Sequence, residues 1–150
     1  MIRDLVLTRS VPFVTLLQIA AGGSRIRRRA RLFDRIEIVR ILGDVAQSID
    51  LDAVDVLLVS AGHVRRPNAT ASIRSIVTTR DRDGSARVFV HVEERPDPFP
   101  LSRRGGNAGL HVVACERLPA EPLFVDCPPH ERPRPARVVA PLSLARDPGP

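Results

Sequence analysis

Residues 10–30 read Ser10-Val11-Pro12-Phe13-Val14-Thr15-Leu16-Leu17-Gln18-Ile19-Ala20-Ala21-Gly22-Gly23-Ser24-Arg25-Ile26-Arg27-Arg28-Arg29-Ala30. Whether this stretch is helix or strand decides the fold. Apolar or small residues fall at Leu16, Ile19, Gly23, Ile26 and Ala30. That spacing of three, four, three, four predicts a helical seam. Ser10 can cap the start, and Pro12 suits a first turn, where a missing N–H has no partner to lose. The interior glycines oppose it, each by about 1 kcal/mol against Ala.

Working outward, a second helix is expected from Asp34. Asp34 and Glu37 have capping-box spacing. Ile36, Val39, Leu42, Ala46 and Ile49 form one apolar face, and Ile38, Ile41 and Val45 widen it, so burial on more than one side is expected. Two such helices make a poor core alone, and pairing in a dimeric four-helix bundle would bury both seams. Arg25, Arg27, Arg28, Arg29 and Arg31 would close the first helix, where cations favour the dipole.

Beyond Leu51 the pattern changes. Asp55 to Ala61 is an apolar stretch compatible with helix. Ile73–Thr79 and Ala86–Glu93 are strand-like and flank Asp83-Gly84, a hairpin signal because such turns need positive φ. Three prolines in 95–100 mark a loop. A glycine-rich run, Gly105 to Gly109, precedes 110–118, expected as a short helix. Segments 123–126 and 137–144 are candidate strands. The expected fold class is α+β: an N-terminal helical hairpin over 1–52, a small α/β sandwich over 53–146 and a tail over 147–150.

Composition narrows the function classes. Of 150 residues, 43% are hydrophobic and 27% charged, the values of a globular chain with an aliphatic core, since there are five Phe, no Trp and no Tyr. No apolar run reaches the roughly 18–20 residues of a membrane span. Cys115 and Cys127 are too few for a disulfide framework, and no His stands close enough for a zinc pattern. Free thiols point to a cytoplasmic chain. All 23 basic residues are Arg, and the net charge is +6 with a pI of 11.2, which permits an acidic partner. Without aromatic residues among the arginines, base stacking has little support, so nucleic acid is not expected. Arg-, Ala-, Val- and Pro-rich text also arises in decayed or shifted frames, which leaves a chain without selected function as an alternative.

The text also resembles a family. Leu17-Gln18-Ile19-Ala20-Ala21 followed by Ser24 to Ala30 is similar to the first dimerisation helix of sensor histidine kinases of the HWE-like type. Arg40 to Asp50 resembles the second helix, and Val54-Asp55 the opening of the ATP-binding part. The hairpin, the second glycine box at Gly105–Leu118 and the final strand at Val138–Leu144 resemble its GHKL-type ATPase domain. The resemblance implies a homodimer and a response-regulator-like partner docked near the helices, with Arg25, Arg27, Arg28 and Arg31 meeting its acidic surface.

The departures fall on the chemistry. Val11 stands where the family's phosphoacceptor His belongs, and a Val has no nucleophile. Ala61 stands at the Mg²⁺-binding Asn, with Asn68 a displaced substitute. Glu94 keeps an acid at the adenine-binding box, but Pro96 and Pro98 replace its glycines and remove N–H groups. Only Gly105, Gly106 and Gly109 keep the character of a phosphate cradle. The expectation is a degenerate, kinase-like regulatory binding module without autokinase activity or catalytic residues, with no cofactor. The alternative is a divergent ATP-binding kinase or phosphatase using Mg-ATP at Gly105, Gly106, Gly109 and Glu94.

Overall fold

The computed structural model describes residues 7–24, 27–61, 70–95 and 108–127, with backbone alone at 20–24 and 108. Its architecture corrects the expected helical hairpin and α/β sandwich: the described chain is a β-sandwich with one short helix on the outside. The deciding stretch is strand. Strand β1 (Leu7–Ser10) and strand β2 (Phe13–Ser24) are separated only by Val11 and Pro12. β1 pairs antiparallel with strand β5 (Thr70–Arg80), while β2 pairs antiparallel with strand β7 (Ala108–Glu116). One run of chain thus serves both sheets, turning the corner at Val11, whose N–H donates to the Ile76 carbonyl at 2.8 Å.

The helical spacing misled for an identifiable reason. β2 carries a bulge between Thr15 and Leu17. A bulge adds one residue and turns a period of two into a local step of three. Phe13 packs against the sandwich interior, whereas Leu16, Leu17 and Ile19 all reach the opposite face. Val11, Val14, Thr15 and Ile19 are also β-branched, which stiffens the chain toward strand.

Sheet A has the order β1-β5-β6-β8, with strand β6 (Ala86–Arg95) antiparallel to β5 and strand β8 (Pro122–Asp126) parallel to β6. Sheet B has the order β2-β7-β4-β3, all antiparallel, with strand β3 (Arg27–Leu32) and strand β4 (Val54–Ala61). The Asp83-Gly84 hairpin forms as expected, with Gly84 at φ +86°. The expected helices at 55–61 and 110–118 are instead the central strands β4 and β7. Both are covered on two faces, so their apolar residues run on without alternating, a pattern a buried helix would share.

Two apolar layers result. Leu57, Val59, Ile73, Ile76, Val88, Val90, Val92 and Val113 fill the space between the sheets. Val56, Leu58, Leu110 and Val112, on the outer face of sheet B, meet helix α1 (Arg35–Leu42) and the 3₁₀ turn Gly43–Ser48. Asp34 caps α1 by accepting the Ile36 N–H at 2.9 Å, as its spacing suggested. Glu37 pairs with Arg28 instead of completing the capping box. Ile38 and Leu42 are buried against sheet B, whereas Ile36 and Val39 face solvent. The expected strand 123–126 is the body of β8, and segment 137–144 lies outside the described residues.

Candidate functional site

The arginine run lies on a strand, so its residues alternate between faces. Arg27, Arg29 and Arg31 share one side of β3 and reach across to sheet A. Arg27 Nε donates to Glu94 Oε1 at 2.8 Å, which holds the Arg27 guanidinium above its ordinary value. Arg29 binds Glu94 at 3.1 Å and also Asp126. Arg31 binds Glu121 at 2.7 Å and approaches the buried Asp55 at 3.5 Å. Arg28 points the other way, to Glu37 at 2.8 Å. Three of the four arginines expected to meet a partner, Arg27, Arg28 and Arg31, are therefore neutralised within the chain. Arg25 lies outside the described residues.

The expected nucleotide residues fare similarly. Glu94 is engaged by Arg27 and Arg29. Gly109 sits within β7, in a strand rather than a loop. Gly105, Gly106 and Asn68 lie outside the described residues. Val11 is a core residue, 2% exposed, and Ala61 closes β4.

The buried polar groups have structural tasks. His111 on β7 accepts the Ile73 N–H at Nδ1, 2.9 Å away, which fixes the neutral ring's proton on Nε2, 2.9 Å from the Thr15 hydroxyl oxygen. The ring thereby joins β5 of one sheet to β2 of the other, and burial pushes its pKa down. Asp55 accepts the Leu118 N–H at 2.8 Å and lies between Arg31 and Arg117. The Cys115 thiol is pushed up to about 12, first by burial and then by Asp55 and Glu116. At neutral pH it is protonated and a poor nucleophile. Among the described residues no three His, Cys, Asp or Glu side chains gather as metal ligands. Two clefts, of about 370 Å³ and about 390 Å³, open at the ends of the sandwich. The arginines in both are held by Glu116, Asp55 or Glu93 or by backbone carbonyls.

The charge is distributed unevenly. The described residues hold thirteen arginines and thirteen acids, so they are electroneutral. The remaining residues hold ten arginines and four acids, the whole of the +6. Within the neutral sandwich, Arg40 at the end of α1 is the one described arginine without a hydrogen-bond or ion-pair partner. It stands one turn beyond Ile36 and next to Val39, which are 69% and 44% exposed. Phe33 and Val45, 66% and 45% exposed, extend the apolar surface before and after the helix. Arg35 on the same helix is occupied by the carbonyls of Ala46 and Ile49.

An all-β sandwich with a helical layer on one face is the class that this geometry defines. No family model matches the chain, and comparison with curated proteins and with solved structures finds no match. No described helix is long and apolar enough to cross a membrane.

Sequence reasoning missed the candidate site because it sought a partner surface in the densest arginine run. The available signal was the excess width of the apolar face at 36–49, which asks for two-sided burial. The sandwich supplies one side.

Proposed function

We propose that this chain is a regulatory binding module that docks an acidic protein partner on its helical layer. The observation that supports this is Arg40, unpaired beside the exposed Ile36 and Val39. Exposed apolar groups rimmed by charge mark interaction surfaces, and a cation left without an internal partner sets the sign of what it meets. The module needs no nucleotide, and a response-regulator-like protein enters only as one acidic partner of that chemistry.

The test places a photo-crosslinking residue at Val39 or, as a control, at Leu123, which is 54% exposed on β8. Expected is a discrete adduct from Val39 with an acidic protein, absent from Leu123. With that protein purified, Arg40→Glu should weaken binding by about tenfold or more, and Arg40→Lys should largely retain it. An adduct unaffected by Arg40→Glu, or one formed only from Leu123, overturns the reading.

A further inference from the structure

The four sheet edges of the sandwich are not protected alike. β1 is four residues long and carries Arg9. β8 is five residues long, begins with Pro122 and ends on Asp126. β3 carries four arginines in six residues. Short length, proline and charge are the devices that keep an edge from pairing with another chain. β2 is twelve residues long and has none of them. From Ser10 to Ser24 the sequence holds no charged residue, its longest such run, in a chain that is 27% charged. β2 ends the strand order of sheet B, so one row of its backbone N–H and C=O groups has no partner strand among the described residues. Its blunting features are the bulge at Leu16 and a second irregularity between Ile19 and Ser24, which leave regular ladder at 13–15 and 17–19.

We infer that β2 is a pairing edge and that its occupant is a second copy of this chain, antiparallel across a two-fold axis. Sheet B would then continue into its copy as one eight-stranded sheet. The choice of occupant follows from charge. Self-pairing along β1 or β3 would bring arginine near arginine, and like charges facing each other across strands are destabilising. β8 carries no arginine, but it is five residues long and opens on Pro122, which leaves β2 as the edge where two copies of a cationic chain can pair without that conflict. An isologous contact also needs a self-complementary surface, which an uncharged strand run antiparallel against itself provides. At about 3.3 Å per residue the part of the edge from Phe13 to Ile19 is roughly 20 Å long, enough for a short ladder. Val14, Thr15 and Gln18, all exposed in the single chain, stand at this contact. The inference does not depend on the docking role of α1, which lies on the outer face of the same sheet.

The experiment is sedimentation of the full chain from low micromolar to submillimolar concentration, with hydrogen exchange at both ends of that range. Expected is a reversible dimer in which amides of 13–24 gain protection on association, while those of β3 and α1 do not. The double variant Val14→Lys/Gln18→Lys changes only exposed side chains, so the monomer should fold. It should weaken the dimer by about a hundredfold or more. Ile36→Lys/Val39→Lys on α1 should leave the dimer intact. A chain monomeric throughout overturns the inference, as does a dimer that survives the β2 lysines or one whose protection falls on α1.

Discussion

The two edges of sheet B solve the same problem in opposite ways. β3 is secured by charge: Arg27, Arg29 and Arg31 span the gap between the sheets to Glu94, Asp126 and Glu121. β2 is secured by chain continuity with β1 and by one neutral hydrogen-bonded ring, His111, between Thr15 and Ile73. The charged seam costs desolvation. Arg29 and Arg31 are 14% and 15% exposed, and the Nε of each is buried without a partner. In return β3 cannot easily accept a foreign strand. The neutral seam leaves its backbone edge available. On the β3 side the same arginines supply both protection against pairing and internal fastening, whereas on the β2 side a neutral ring fastens and leaves the edge unprotected.

The largest effect should come from breaking the charged seam at its buried end. Asp55 is 5% exposed, accepts the Leu118 N–H and faces Arg31 and Arg117. Asp55→Ala leaves the buried Leu118 N–H unpaired and takes the buried carboxylate from Arg31, which keeps Glu121, and should cost about 3–4 kcal/mol. Asp55→Asn keeps an acceptor for Leu118 and should cost clearly less. Urea unfolding of the three proteins checks the order. Equal losses in both variants would mean that volume, not charge, holds this corner.

On the neutral seam, His111→Ala leaves the Ile73 N–H unpaired and opens a cavity beside Phe13, with an expected loss of about 2–4 kcal/mol. The seams should also differ in their response to salt. Destabilisation by added sodium chloride should be visible in the parent chain and reduced when Arg29 is replaced by Met, but unchanged by His111→Gln. Thermal melts across ionic strength read this directly.

The sequence made the hairpin legible because Asp83-Gly84 has a local cause, the left-handed turn at Gly84, that no distant contact can override. Asp34 was legible for the same reason. The first thirty residues were not. Their reading depended on a bulge at Leu16, which sequence spacing reproduces as helical period, and on pairing with β7 nearly a hundred residues away. β4 and β7 were ambiguous because burial on two faces erases alternation. The arginines were visible as a group, but their partners Glu94, Glu121 and Asp126 lie sixty or more residues distant. Only the fold could show that Arg27, Arg28, Arg29 and Arg31 are neutralised and that Arg40 is not.

The same comparison predicts a pH response confined to the β2 side. Burial holds the His111 pKa below 6.5 in the folded chain. The groups touching the ring, Thr15, Phe13 and Ile73, are uncharged. Below pH 6.5 the unfolded chain therefore binds the proton more readily than the folded one, and stability falls with pH. The loss begins near 6.5 and continues until pH passes the lower, folded value. His111→Gln should flatten that part of the profile while leaving the carboxylate-driven loss at lower pH.

The smallest effect sharpens the contrast within β3 itself. Arg28 points away from the seam and pairs with Glu37, their side chains 43% and 33% exposed. An exposed pair is screened and must hold two long side chains in one geometry, so Arg28→Ala should cost about 0–0.5 kcal/mol. Arg29→Ala, one residue along but facing the gap, removes a partner shared by Glu94 and Asp126 and should cost several times more. Stability measurements on the two neighbours decide whether face, rather than arginine content, determines what this strand does. If Arg28→Ala were as costly as Arg29→Ala, the arginines would be anchoring α1 as firmly as the sandwich edge, and the helical layer would be a fixed part of the core rather than a surface free to dock.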